Sequence, residues 1–170
     1  MTFNTNIEEK ISSLINDLNE KKYNQVIQNS KELLKYSYNL PILHILIGVS
    51  YFFKNENIKA IESYEVAIKL QPENEETYRN LGKSLIKVNK LTEAKEVFEK
   101  SIDLKSNNPD AYFNLGLISL ENDNLLESIK YFEKSIEYNN RFYQAYYNLG
   151  IVFDLIGNNK ESAKNYKRTL

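Results

Sequence analysis

Three asparagines, Asn80, Asn114 and Asn148, recur at an interval of 34 residues, and their amides are the side chains whose type and spacing best suit a chemical task. An Asn amide carries two donors and an acceptor oxygen, so it pairs with a peptide N–H and C=O whatever the peptide's side chains are. The same residue type also caps or bridges neighbouring helices, and the sequence leaves both roles open. Bond-making chemistry is poorly provided for. There is one histidine, His44, and no cysteine, so a single side chain titrates near neutrality unperturbed. Thiol nucleophiles, disulfides and thiolate metal sites are excluded. The glycines are too dispersed for a phosphate-cradling loop, and Glu93, Glu96 and Glu99 fall at the spacing of a solvated helix face. No catalytic, cofactor-binding or metal-binding residue is identified, and the segment is read as non-enzymatic.

The elements that position these amides follow from a second regularity. Gly48, Gly82, Gly116 and Gly150 are also 34 residues apart, and the phrases Tyr78-Arg79-Asn80-Leu81-Gly82, Tyr112-Phe113-Asn114-Leu115-Gly116 and Tyr146-Tyr147-Asn148-Leu149-Gly150 are copies of one another. A period in this range belongs to stacked repeats. Within a repeat, Leu81, Leu85 and Val88 recur at helical spacing, Asn89 and Lys90 interrupt, and Ala94, Val97, Phe98, Ile102 and Leu104 resume. Asn55, Asn89, Asp123 and Gly157 stand at the same point of successive repeats, and these residue types tolerate the left-handed conformation that ends a helix. Each repeat is therefore a helical hairpin, with helices expected at 7–20, 23–37, 41–54, 58–70, 75–88, 92–104, 109–122, 126–138, 143–156 and 160–170. The glycine is expected to let the first helix approach small residues of the second, such as Ala60 and Ala67 or Ser128 and Ser135. Tyr64, Phe98, Phe132 and Tyr166 are expected to fill the space between hairpins.

On these residues the chain resembles the tetratricopeptide repeat family, whose pattern is an aromatic, Leu-Gly, a small residue, an aromatic, a second small residue and a late proline. Repeat 41–74 supplies Gly48, Ala60, Tyr64, Ala67 and Pro72, with His44 replacing the first aromatic as a packed ring. Repeats 75–108 and 109–142 match but have Ser106 and Asn140 in the proline slot. Repeat 7–40 is degenerate, with Leu14 in the glycine slot and Val26 and Leu33 in the small slots, and 143–170 is incomplete. The resemblance implies one all-α domain over 1–170, a right-handed superhelical α-solenoid of about five hairpins. It also implies a concave groove, lined by the first helices, that takes an extended peptide or helix of a partner protein. The amide row is similar to the asparagine ladder of O-linked N-acetylglucosamine transferases, with Leu46 and Ser13 departing from it. Arg79, Lys83, Phe113, Leu117, Tyr147 and Ile151 join the three asparagines as candidate groove residues, as do Ile45 and Val49. Several of the apolar ones are equally suited to burial between hairpins. The carboxylate clamp of co-chaperones in the family is not expected, because the slot for its Asn holds Ile15, Val49, Lys83, Leu117 and Ile151.

Charge narrows the partner further. The net charge is −1, with Lys+Arg at 22 against Asp+Glu at 23, which lacks the basic excess of a nucleic-acid footprint. The most apolar run, 41–53, is too short to span a bilayer, and residues 1–6 carry no basic start of a secretory leader. A cytoplasmic protein that binds another protein or peptide, without cofactor, nucleic acid or membrane, is expected, in an oligomeric state the sequence does not define. The last helix, with Ala163, Tyr166 and Leu170 on one face, has no capping helix after it. The alternative is therefore a recruiting module of a larger enzyme such as a glycosyltransferase, sulfotransferase or methyltransferase.

Overall fold

The structure, a computed structural model, describes residues 2–36 and 40–169, with side chains from residue 7 onward. Ten helices account for the described residues, and no strand occurs among them. They are α1 (Thr2–Asn19), α2 (Tyr23–Leu34), α3 (Pro41–Phe53), α4 (Asn57–Leu70), α5 (Glu75–Lys87), α6 (Leu91–Leu104), α7 (Pro109–Glu121), α8 (Leu125–Tyr138), α9 (Tyr143–Leu155) and α10 (Asn159–Tyr166). The expected bounds hold within one residue for the seven helices α3–α9. Helix α1 starts five residues earlier than expected, and α10 stops at Tyr166 rather than running to 170. The expected end of α2 at residue 37, and Leu170, lie outside the described residues.

Backbone geometry explains why the helices end where they do. Lys21, Asn55, Asn89, Asp123 and Gly157 all have positive φ, between 57° and 77°. After α3, the Asn55 N–H donates to the Phe52 carbonyl at 2.9 Å and the Glu56 N–H to the Tyr51 carbonyl at 2.9 Å. This pair of bonds satisfies carbonyls that a helix end otherwise leaves orphaned. The same pair recurs at Lys21, Asn89, Asp123 and Gly157. Lys21 was not anticipated, because lysine has no intrinsic preference for this conformation; only its register, one period before Asn55, marks it. At the other ends, Pro41 and Pro109 occupy first-turn positions, where a missing N–H costs nothing. Asn74, Asn108 and Asn158 cap α5, α7 and α10 by accepting from the N–H of Thr77, Ala111 and Glu161.

The chain divides into two units, Met1–Lys90 with α1–α5 and Leu91–Leu170 with α6–α10. In the first, α1 pairs with α2 and α3 with α4, α2 packs on α3, and α4 packs on α5. Its core gathers Leu14, Val26, Leu43 and Leu46, with Ile11, Leu18, Leu33 and Leu34 against them. In the second, α7 pairs with α8 and α9 with α10, α6 packs on α7, and α8 packs on α9. There Phe132, Ala145, Leu149 and Val152 are covered by Phe113, Leu117, Leu120 and Ile129 among others. Each core thus lies where one hairpin meets the next, as a repeat array requires.

The glycine slot works differently from the expectation. A Cβ on Gly48 would stand 2.6 Å from the Tyr64 ring, one on Gly116 2.6 Å from the Phe132 ring, and one on Gly150 2.6 Å from the Tyr166 ring. The glycine therefore makes room for the aromatic of its own hairpin, not for the small residues. Those are buried for another purpose: Ser135 Oγ donates to the Pro109 carbonyl at 2.9 Å, tying α8 to the start of α7. The degenerate first repeat inverts the arrangement. Leu14 fills the glycine slot and Ser30 the aromatic slot, both buried, so volume is conserved while the large side chain changes helix. The expected face of α10 also needs correction. Ser162 and Asn165 are buried and Ala163 is exposed, because the small slot in register with Ser128 falls on residue 162.

Candidate functional site

The register that fixes the amides places each on the first helix of its repeat. In the second unit, Asn114 on α7 is 9 % exposed and Asn148 on α9 is half-exposed. Each uses its amide in the same way. Asn114 Nδ2 donates to the Asp110 carbonyl at 2.7 Å, and Asn148 Nδ2 donates to the Gln144 carbonyl at 2.8 Å, four residues back on the same helix. One N–H of each is thereby committed, which fixes the rotamer and leaves the other N–H and the oxygen to be used elsewhere. Neither bond bridges helices. Asn165 on α10 makes the same bond, to the Glu161 carbonyl at 2.8 Å, so the interaction is not confined to the first helices. In the first unit, Asn80 on α5 is half-buried.

The remaining candidates separate into two groups. Phe113 lies against the Phe132 ring at 5.8 Å and the Phe142 ring at 4.8 Å, and with Leu117 it covers the core formed by α8 and α9. These two are packing residues between hairpins. Tyr147 repeats the ring contact, 5.8 Å from Tyr166, yet it is 53 % exposed, and Ile151 beside it is half-buried. On α5, Arg79 Nη2 lies 3.6 Å from Glu76 Oε1, and Lys83 is half-buried. Ile45 and Val49 on α3 are half-buried.

Electrostatics does not gather a reaction centre. His44 is half-buried on α3, and burial pushes its pKa below the ordinary histidine value. The Ser119 hydroxyl and Lys95 ammonium donate to Glu127 at 2.8 and 3.1 Å and hold its carboxyl below the usual range. Among the described residues no group of three or more His, Cys, Asp or Glu side chains is assembled to hold a metal ion, and no helix is long and apolar enough to cross a membrane.

Two groupings escaped the sequence reading. Asn108, 5 % exposed, caps α7 and also donates from Nδ2 to Ser101 Oγ at 2.9 Å, so one side chain joins α6 to α7. Its place before Pro109 was the available signal. The second is a lysine cluster around Tyr51. Lys31 Nζ donates to the Tyr51 hydroxyl at 3.0 Å, and the ammonium groups of Lys31, Lys54 and Lys59 lie 5.5, 6.0 and 5.4 Å from the Tyr51 ring centre.

Comparison with known proteins agrees with this geometry. Sequence profiles described as TPR repeat match residues 48–89 and 85–123, and one described as tetratricopeptide repeat matches 109–142, so together they span more than half of the chain. No curated protein was found that matches it in sequence. Among solved structures, MamA (41-end) from Desulfovibrio magneticus RS-1 superposes with a TM-score of 0.86 at 17% identity, over 95% of this chain and 92% of that one. PilF of Pseudomonas aeruginosa gives 0.87 at 19% identity, over 95% of this chain and 74% of that one. YrrB, described as a TPR protein with an unusual peptide-binding site, gives 0.79 at 19% identity, over 99% and 91%. Glycines that seat an aromatic ring, hairpins closed at a fixed position and repeat profiles matched over residues 48–142 all describe one kind of repeat, and the chain belongs to the tetratricopeptide repeat family.

Proposed function

We propose that this protein is a non-catalytic interaction module that binds an extended segment of a partner protein along the first helices of its repeats. The observation that carries the reading is the shared pose of Asn114 and Asn148. Each is held by one N–H on its own helix, which leaves a donor and an acceptor in a fixed direction at the same place in successive repeats. A preset rotamer reduces the entropy lost on binding. Asn80 offers the same residue in the same register on α5. The peptide-binding site named for YrrB supports the reading at the level of fold.

Magnitudes assign the other contacts. A neutral hydrogen-bonding site contributes about 1 kcal/mol, so Asn114 and Asn148 contribute about 2, whereas micromolar affinity requires about 8 kcal/mol. Apolar burial has to supply the difference. Phe113 and Leu117 are occupied in packing α7 on α8 and α9, so the apolar share falls to Tyr147 and Ile151 on α9.

The test is a peptide selected from a random display library and resynthesised in two forms. N-methylation of backbone positions removes N–H donors and should weaken binding at least tenfold, whereas permuting the outward side chains should matter less. Binding that survives N-methylation unchanged, or a library that returns no binder, would contradict the proposal.

A further inference from the structure

A cleft of about 490 Å³ lies within the first unit between α2, α3 and α4, bordered by Lys31, His44, Tyr51, Lys59, Ser63 and one carboxylate, Glu62, with Leu34, Ile47 and Val66 as its apolar walls. At about 100° per residue, His44, Ile47 and Tyr51 lie on the side of α3 largely opposite Ile45 and Val49. The cleft is therefore separate from the face considered above.

Register shows that its charge is peculiar to this place. Lys31 stands where the next three repeats carry Glu65, Glu99 and Glu133 and the last carries Lys167, and Lys59 where they carry Glu93, Glu127 and Glu161. Lys59 is thus basic where every following copy is acidic and Lys31 where three of the four following copies are, and both border one cleft. Lys59 Nζ pairs with Glu56 Oε2 at 2.7 Å, and Lys54 with Glu56 Oε1 at 2.7 Å. Lys31 has no carboxylate partner among the described residues; its ammonium is held by the Tyr51 hydroxyl. That hydroxyl accepts from Lys31 and keeps its own proton to donate. Three lysines stand against Glu56 and Glu62, which leaves a local positive excess.

The corresponding place in the second unit is closed by its own side chains. Tyr131 occupies the slot of Ser63 and lies 6.4 Å from Tyr112, which occupies the slot of His44. Glu127, in the slot of Lys59, receives hydrogen bonds from Lys95 at 3.1 Å and from Ser119, in the slot of Tyr51, at 2.8 Å. One copy of the site thus satisfies its carboxylate internally. The other presents the cations, a hydroxyl donor and open volume where that carboxylate and the Tyr131 ring would stand.

We propose that the cleft between α2, α3 and α4 binds an acidic peptide segment of a protein partner, with a carboxylate side chain between Lys31 and Lys59 and an aliphatic neighbour against Leu34 and Val66. Charge complementarity selects the carboxylate, and the apolar walls select a peptide over a small anion, which would leave them unused. The ligand takes the part that Glu127 and Tyr131 play in the second unit. Its charge-assisted hydrogen bonds to Lys31 and the Tyr51 hydroxyl are the stronger kind.

The experiment is an NMR titration of the full chain with N-acetyl-Leu-Glu-Leu-amide, its Gln counterpart and sodium acetate. The Glu peptide should shift the resonances of Ile47, Tyr51 and Val66 and bind about tenfold more tightly than the Gln peptide. Lys31→Glu with Lys59→Glu installs the residues of the sister repeats and should abolish the preference. Ser63→Tyr should close the cleft without changing charge, so it keeps the test decisive if the charge reversal perturbs folding. Asn114→Ala should have no effect, which separates failure here from failure of the reading above. Equal binding of the Glu and Gln peptides, equal shifts from acetate and the Glu peptide, or no shift at these residues would overturn the proposal.

Discussion

Replacing Gly116 should expose how the hairpins are held together. A Cβ there would lie 2.6 Å from Cδ1 and Cε1 of Phe132, closer than real methyl contacts come, and Phe132 is 0 % exposed. The ring has no space to withdraw into, because Phe113 and the residues of α9 pack around it. Overpacking of this kind costs roughly 1–3 kcal/mol, while Ala instead of Gly within a helix returns about 1 kcal/mol. Gly116→Ala should therefore be destabilised by about 1 kcal/mol net, and Gly116→Leu by about 3 or more. For a chain of this size 1 kcal/mol moves Tm by roughly 2–4 °C, so the Leu variant should melt about 6–12 °C lower. Gly150→Ala provides the control. Its Cβ meets the Tyr166 ring at the same 2.6 Å, but that ring is half-exposed on the last helix and can swing outward. Its stability should stay near that of the parent. Calorimetry of the three variants, with hydrogen exchange to show that protection is lost in α7–α9 first, tests the reasoning. An unchanged Tm in Gly116→Leu, or equal losses in Gly116→Ala and Gly150→Ala, would refute it.

Three further outcomes follow from single contacts. Asn108→Ala removes both the cap on α7 and the bond to Ser101, and chemical denaturation should report a loss of about 2 kcal/mol. Lys21 holds φ of 62°, so Lys21→Asn, a residue enriched in that conformation, should raise stability by about 0.5–1 kcal/mol in the same assay. Glu56 is held from 4.5 down to about 2 by hydrogen bonds from Lys54 and Lys59. A depressed folded pKa stabilises above 4.5 and loses that contribution as the pH falls from 4.5 toward about 2. Over that window Tm should fall less steeply in Glu56→Gln than in the parent.

Much of the fold was legible because the repeat forces each local signal to appear several times. The turn residues Asn55, Asn89, Asp123 and Gly157 located the hairpin ends, and the copied Tyr-x-Asn-Leu-Gly phrase located the first helices. What was not legible depends on which side chain meets which. The glycines were visible, but their partner, the ring of the same hairpin, is decided by rotamer and helix crossing rather than by spacing. Leu14 was visible in the glycine slot, but Lys21 and the matching Ser30 in the aromatic slot were hidden because the first repeat solves the same packing problem with different residues. Phe113 and Leu117 share a register with Tyr147 and Ile151, yet the former are covered by α9 while Tyr147 remains 53 % exposed. Sequence periodicity treats such pairs as equivalent, and only the neighbour that follows distinguishes them.

The proposed function is tested most directly by Asn114→Ala combined with Asn148→Ala. Both side chains bond only to carbonyls of their own helices in the interactions seen here, and those carbonyls keep their backbone partners, so the fold should persist with an unchanged Tm. If the amides receive a peptide backbone, losing two sites of about 1 kcal/mol each should weaken the display-selected peptide by about thirtyfold. A folded double variant that binds the peptide as tightly as the parent would contradict the account.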